Sequence, residues 1–379
     1  MNFEYSDEQR ALHESLTRWL DKHYTFAQRR ERLQATSATD DTTWHTLAEM
    51  GLLALPLPEA RGGLDGDSVD VAGVMAILGA KGVLEPYLPT VLAARLLADT
   101  GTPAQCDRWL PDVAQGRLRL AFAHGEPGTR HARTRVATAA TREGDGWRLD
   151  GHKAVVVGAP QSKLLVVSAR VSGAIDSSAG LALFAVDANA PGIELRSYRN
   201  HDGQLAADVL LRDVRVHDGQ RLGVAGDAAA AIEHALDRGA AAVCAEAVGI
   251  MRAMNDTTLE YLKTRKQFGV VIGSFQALQH RMADMVVATE QAASMALMAA
   301  AKADSHDAAE RAQAVSAAKA YVGQQARFVG QQAIQLHGGM GITDEMMVSH
   351  LFKRLTLIES SFGDTDHHFE RVSAALLSA

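Results

Sequence analysis

Two short segments in the last third of the chain collect residue types that hold phosphates and flat heterocycles. One is Arg265-Lys266-Gln267-Phe268-Gly269, followed by Phe275-Gln276. The other is Gln335-Leu336-His337-Gly338-Gly339-Met340-Gly341. Arg265 offers a planar guanidinium that can grip a phosphate through two parallel hydrogen bonds. Phe268 adds an aromatic face, and Gln276 and Gln335 add amides. The Gly338-Gly339 pair permits close backbone approach and a left-handed helix cap. Alone, Arg265 reads as a solvated cation at a helix end and the glycine pair as a simple C-cap. In this order and spacing, the two segments together point to a dinucleotide.

The remaining reactive residue types are less arranged. Asp364 reads first as a turn or helix-capping aspartate and only second as a base. Asp237 and Glu246 read as surface or ion-pair residues. His367 and His368 are adjacent, so in a helix they point about 100° apart and cannot readily share an ion. No metal is expected. Cys106 and Cys244 are too few for a disulfide framework and suit a reducing compartment. The net charge of −7, with no basic block, disfavours a nucleic-acid partner. No charge-free run of ~18 strongly apolar residues appears, so no membrane span is expected. Met1 to Arg10 is polar and acidic and does not read as a secretory signal, which makes a cytoplasmic location the expectation.

The elements that must position these residues follow from periodicity. A chain of 379 residues with 47% hydrophobic content can bury a large core in two or three packed units. Ser6-Asp7-Glu8-Gln9 has the form of a capping box ahead of Leu12, Leu16, Trp19 and Leu20 at helical spacing. Further helices are predicted from about Thr42 to Met50, Val69 to Leu84 and Pro89 to Thr100. From about Arg117 to Gly223 the texture changes to short Val, Leu and Ala runs between turn residues. Ala154–Val157, Leu164–Val167, Leu181–Val186 and Val209–Val216 read as strands, and Gly144-Asp145-Gly146 and Asp150-Gly151 as hairpin turns. Four long Ala-rich helices follow, at 228–264, 275–303, 308–336 and 345–362, of the kind that pack closely as an antiparallel bundle. The expected division is helical 1–116, β 117–225 and helical 226–379.

With those motifs in view, the chain resembles the acyl-CoA dehydrogenase family over essentially its whole length. The resemblance rests on Arg265-Lys266-Gln267-Phe268-Gly269, Gln279-His280, Ala283-Asp284-Met285 and Gln335 to Gly341. Early in the chain it rests on Trp44 to Leu52, Leu57-Pro58-Glu59 and Gly62-Gly63. It implies an N-terminal helical domain, a middle β-barrel-like domain and a C-terminal antiparallel four-helix bundle. It also implies FAD, with Arg265, Phe268, Gln276, Gln335, Leu336, His337, Gly338 and Gly339 holding the pyrophosphate and adenosine half of a flavin belonging to a neighbouring subunit. The implied reaction is α,β-dehydrogenation of an acyl-CoA thioester in fatty-acid or steroid side-chain degradation. Electrons would pass to an electron-transfer flavoprotein or similar acceptor.

The family pattern fails at four places. The base expected in an aromatic-Glu-Gly-Thr element falls on Phe362 or Gly363 of Ser361-Phe362-Gly363-Asp364-Thr365. An alternative base position on the preceding helix falls near Gly239. The Thr-Glu-Pro-Gly turn is Gly125-Glu126-Pro127-Gly128 here, and an aromatic-Ile-Thr element is Val155-Val156-Val157, which reads as a buried strand. The chain therefore resembles one partner of a heteromer in which an unlike subunit supplies the base. Gln335 to Gly341, Phe352-Lys353-Arg354-Leu355 and Phe362 to His368 are most similar to the small subunit of pimeloyl-CoA-type dehydrogenases. The alternatives are a self-sufficient homo-oligomer using Asp364 or another acid as base, a non-catalytic structural subunit, and a flavin-dependent oxygenase. The small side chains from Gly239 to Ala242 suggest room for a bulky or long acyl group.

Overall fold

A computed structural model describes residues 5–34 and 41–378; Met1 to Glu4, the start of the stretch weighed as a secretory signal, lie outside them. The chain opens with helices α1 (Asp7–His23), α2 (Phe26–Gln34), α3 (Asp41–Glu49), α4 (Ser68–Lys81), α5 (Tyr87–Thr100) and α6 (Pro103–Ala114). Strands follow: β1 (Leu120–Ala123), β2 (Ala139–Glu143), β3 (Gly146–Val157), β4 (Leu164–Arg170), β5 (Leu181–Asp187), β6 (Ile193–Arg199), β7 (Leu205–His217) and β8 (Arg221–Gly226). The last third holds α7 (Ala229–Thr264), the short strands β9 (Lys266–Gln267) and β10 (Val270–Val271), then α8 (Gln276–Lys302), α9 (Ala308–His337), α10 (Met347–Ser360) and α11 (Thr365–Ser378). The order of helices, strands and helices is the one expected.

Contacts divide the chain into two compact units. The first comprises Met1–Ala35, Ser68–Val83 and Ala240–Ala379. Ser6 caps α1 as expected, accepting from the Gln9 N–H while the Gln9 side chain accepts from the Ser6 N–H. Small residues then let helices approach closely. A Cβ on Gly249 of α7 would lie 1.9 Å from the Ala76 carbonyl of α4, and one on Gly79 would lie 2.6 Å from the Glu246 carbonyl. Glu246, read as a surface or ion-pair residue, is buried and takes both arms of Arg354 at 2.6 Å, tying α7 to α10.

The second unit comprises Thr36–Asp67 and Leu84–Gly239. Its strands form one sheet in the order β6-β7-β3-β2-β4-β5-β8, with β1 added in parallel beside β4. The end strands β6 and β8 do not pair with each other, so the sheet stays open rather than closing into a barrel. β4 and β5 are buried along nearly their whole length, which is why they read as continuous apolar runs. The hairpin at Gly144-Asp145-Gly146 forms between β2 and β3. Asp150-Gly151 is not a hairpin. It lies inside β3 at a register shift against β7, where a Gly151 Cβ would meet Thr138 Oγ1 at 2.4 Å. Asp237 is buried beside Arg133 at 2.6 Å, and Glu233 completes a triad on the same guanidinium.

Candidate functional site

The first segment forms a feature not anticipated from sequence, a two-stranded hairpin projecting after α7. β9 pairs with β10 in the register Gln267 to Val270, leaving Phe268-Gly269 as the loop. Both loop residues have positive φ, 55° and 81°, as the tightest hairpin turns require. The Arg265 carbonyl closes the hairpin base by accepting from the Ile272 N–H at 2.9 Å. At the tip, Phe268 is 91% exposed and meets Phe275 edge to face, with centroids 6.3 Å apart. Gln276 opens α8 and is exposed. Among the described residues, neither the Arg265 guanidinium nor the Gln276 and Gln335 amides bond to a protein partner.

The second segment ends α9. Leu336 and His337 turn inward and are buried, so only their backbone can face a ligand. The His337 Nδ1–H donates to the Ala333 carbonyl at 2.8 Å, which fixes the tautomer, and burial holds its pKa below the ordinary histidine value. Its ring stacks on Tyr261 with centroids 4.5 Å apart. That stack brings the two segments together. Tyr261 was not singled out from sequence, although it stands one helical turn before Arg265, where side chains share a face. Gly338 has φ of 59° and needs glycine for that reason. Gly339 has no such need: its φ is ordinary, and an added Cβ would meet nothing within 4 Å.

The strap after α10, where a base was sought, carries no free carboxylate. Phe362 and Gly363 adopt φ of 58° and 114°. Asp364 caps α11, its Oδ1 accepting from the His367 N–H at 2.8 Å and its carbonyl from the His368 N–H at 3.1 Å. Near Gly239, Asp237 is engaged by Arg133 as described.

In the unit containing the sheet, Glu126 of the Glu-Pro-Gly turn is a structural anchor. Its carboxylate accepts from Ala137 N (2.6 Å), Thr138 N (2.9 Å), Thr138 Oγ1 (2.6 Å) and the fully buried Lys153 Nζ (2.7 Å). Val155 corrects the buried-strand reading. It is 56% exposed with φ of 53°, a strained bulge for a β-branched residue, while Val156 alone points into the core. His124, half-buried and 2.9 Å from Ser168 Oγ, lies beside this cluster. Burial first, and then the Lys153 charge, hold its pKa down at about 3. The folded chain thus resists a proton that the unfolded chain takes below its ordinary value of 6.5. Stability falls as pH drops from about 6.5, by at most about 3 kcal/mol from this group at pH 4. A urea-unfolding series from pH 7 to 4 should show this slope, and His124→Gln should flatten it.

Comparison with known proteins decides the family. Models of the acyl-CoA dehydrogenase N-terminal, middle and C-terminal domains match residues 6–117, 121–214 and 228–377. The Probable acyl-CoA dehydrogenase YngJ of Bacillus subtilis (strain 168) is 30% identical over 374 residues, covering 97% of both chains. The chain belongs to the acyl-CoA dehydrogenase family. The 3-(aryl)acrylate reductase of Clostridium sporogenes is 30% identical over 318 residues, 82% of this chain and 84% of that one. Among solved structures, a variant of the Tcur3481-Tcur3483 steroid ACAD superposes with a TM-score of 0.87 at 29% identity, covering 98% of each chain. The ChsE4-ChsE5 complex from Mycobacterium tuberculosis gives 0.88 at 25% identity over 100% of each. No helix among the described residues is long and apolar enough to cross a membrane. This acyl-CoA dehydrogenase family member is thus an oxidoreductase of the CH–CH type whose expected base position holds Phe362 and Gly363.

Proposed function

We propose that this chain is one subunit of an FAD-dependent acyl-CoA dehydrogenase that shares its flavin site with an unlike, related subunit supplying the base. The observation that carries this reading is an asymmetry. Groups suited to a dinucleotide project outward without protein partners, while the strap that would hold a base holds an inward-turned Phe362 and a glycine. The two-chain complexes among the structural relatives support it. Within this reading the chain corresponds to the small subunit of a pimeloyl-CoA-type dehydrogenase, divided at 1–116, 117–225 and 226–379.

The residues fit the cofactor. Arg265 would clamp the pyrophosphate, Phe268 would cover an apolar face, and Gln276 and Gln335 would bond the polar edges. Gly338 and Gly339 would bring bare backbone against the ligand, with Leu336 and His337 contributing main chain only. FAD, when bound, accepts the hydride that leaves the β-carbon of the acyl thioester. The partner's carboxylate would take the α-proton, yielding the 2-enoyl thioester, and an electron-transfer flavoprotein or similar acceptor would receive the electrons. The homo-oligomer alternative would need Asp364, whose carboxylate caps α11, or another acid of this chain.

Glycine at 339 is demanded neither by conformation nor by packing within this chain. Under the proposed reading, flavin approaches there. Gly339→Ala should leave the thermal midpoint of the lone chain unchanged and lower flavin retention by the assembled pair at least about tenfold. Equal retention by the variant would remove Gly339 from the site. The reaction itself is tested by enoyl thioester formation with a dye acceptor, which should require both chains. Turnover by the lone chain would contradict the shared site.

A further inference from the structure

Tyr261 stands one turn before Arg265 at the end of α7, and the helical ladder joins their backbones, the Arg265 N–H donating to Tyr261 O at 2.9 Å. Beyond Arg265 the hairpin folds back on the helix end, where a Cβ on Gly273 would lie 2.8 Å from the Leu262 carbonyl oxygen. The Tyr261 ring and the hairpin base thus belong to one packed piece. On α9, the bond from His337 Nδ1–H to Ala333 O fixes the plane of a ring that is only 2% exposed. The Gly338–Ile342 turn closes over it, since a Cβ on Gly341 would lie 3.0 Å from His337 Cβ and 2.6 Å from Ile334 O. Thr343 fastens that turn, its N–H and Oγ1–H donating to Met340 O at 3.1 and 2.9 Å. The two pieces meet ring to ring, with an interplanar angle of 27°. His337 Nε2 is buried without a partner among the described residues, and the Tyr261 hydroxyl bonds to none of them. An unmade bond at a buried acceptor costs stability, so this histidine contributes a fixed flat face rather than its polar edge.

We infer that the Tyr261–His337 stack is a brace that sets the separation of the two dinucleotide segments, and that Tyr261 positions Arg265 for the pyrophosphate without itself touching the cofactor. The inference rests on the shared-site reading, in which one FAD spans both segments. A ligand held from two sides binds tightly when both sides already stand at the right separation. Where they do not, ordering them is subtracted from the affinity. An aromatic pair supplies such order, worth about two- to tenfold in an equilibrium constant beyond the area it buries. An aliphatic pair would fill the same space without fixing an angle.

The test is FAD retention by the assembled pair, read from the flavin fluorescence released on dilution. Tyr261→Ala should weaken retention about three- to tenfold. Tyr261→Leu, which keeps apolar volume without a flat face, should do the same and serves where the alanine variant folds poorly. Tyr261→Phe should retain flavin like wild type, because the hydroxyl is unengaged. His337→Ala should match Tyr261→Ala, and the two together should lose no more than either, since each removes the same stack. In an Arg265→Ala background, Tyr261→Ala should weaken retention less than about twofold, because its effect passes through the guanidinium. A merely structural role would lower retention by the same factor in both backgrounds. Equal losses in both, full retention by Tyr261→Ala, or a loss in Tyr261→Phe as large as in Tyr261→Ala would overturn the brace. Arg265→Ala by itself separates the two claims. If it loses flavin and Tyr261→Ala does not, the segments hold the cofactor and the brace alone fails. If Arg265→Ala retains flavin, the reading of the segment fails and the brace with it.

Discussion

Glu246→Gln should destabilise the chain by about 3–5 kcal/mol. The substitution preserves shape and removes only charge. Arg354 would then keep a buried guanidinium opposite a neutral amide, where two bonds of 2.6 Å now hold α10 to α7. The cost comes from losing the carboxylate charge opposite a buried guanidinium rather than from any large net gain in the native pair. A double variant, Glu246→Leu with Arg354→Leu, should therefore lose less than Glu246→Gln alone. Thermal and urea midpoints of the three proteins check this. A Glu246→Gln loss below about 1 kcal/mol would show that the pair is solvent-relaxed, as exposed ion pairs are.

Arg265→Ala should impair cofactor binding severely while leaving the fold alone. Arg265 is exposed and bonds to no described side chain, so the lone chain's stability should change by no more than about 0.5 kcal/mol. In the assembled enzyme the same substitution removes a charge-assisted, two-pronged phosphate contact. Such bonds contribute about 1.5–3 kcal/mol each, so FAD affinity should fall by about a hundredfold or more. Arg265→Lys should recover only part of this, because an ammonium keeps the charge but loses the fork. Flavin released on dilution of the pair, followed by fluorescence, measures all three proteins. Unchanged retention by Arg265→Ala would place the phosphates elsewhere.

Much of this molecule is legible in the chain itself. The capping box at Ser6, the long Ala-rich helices and the apolar runs of β4 and β5 all announce themselves through periodicity or continuous burial. What stayed hidden had a weak signal. Strands β2 and β6 are largely exposed, so neither carries an apolar run to detect. Helix α2, Phe26–Gln34, is polar nearly throughout and buries chiefly Arg29, whose Nε donates to Gly82 O at 2.7 Å. The β9–β10 hairpin has strands too short to show alternation, and its loop uses Phe268 where Asn or Gly is commoner. Asp150-Gly151 misled because its glycine answers a close approach by Thr138 rather than a turn. Val155 misled because a run of three valines conceals a bulge. The site shows the same split. Both dinucleotide segments stand out by residue type, but their meeting through Tyr261 and His337, and the inward turn of Phe362, depend on packing between elements distant in sequence.

A flavin shared between unlike chains fixes the number of flavins per polypeptide, which absorbance measures. The chain should be purified alone and then with the product of a neighbouring acyl-CoA dehydrogenase-like gene. The expected result is a colourless lone chain and a yellow pair carrying about half a flavin per polypeptide, as one site per interface requires. A lone chain that is yellow at about one flavin per polypeptide would contradict the shared site and return attention to Asp364 as the base.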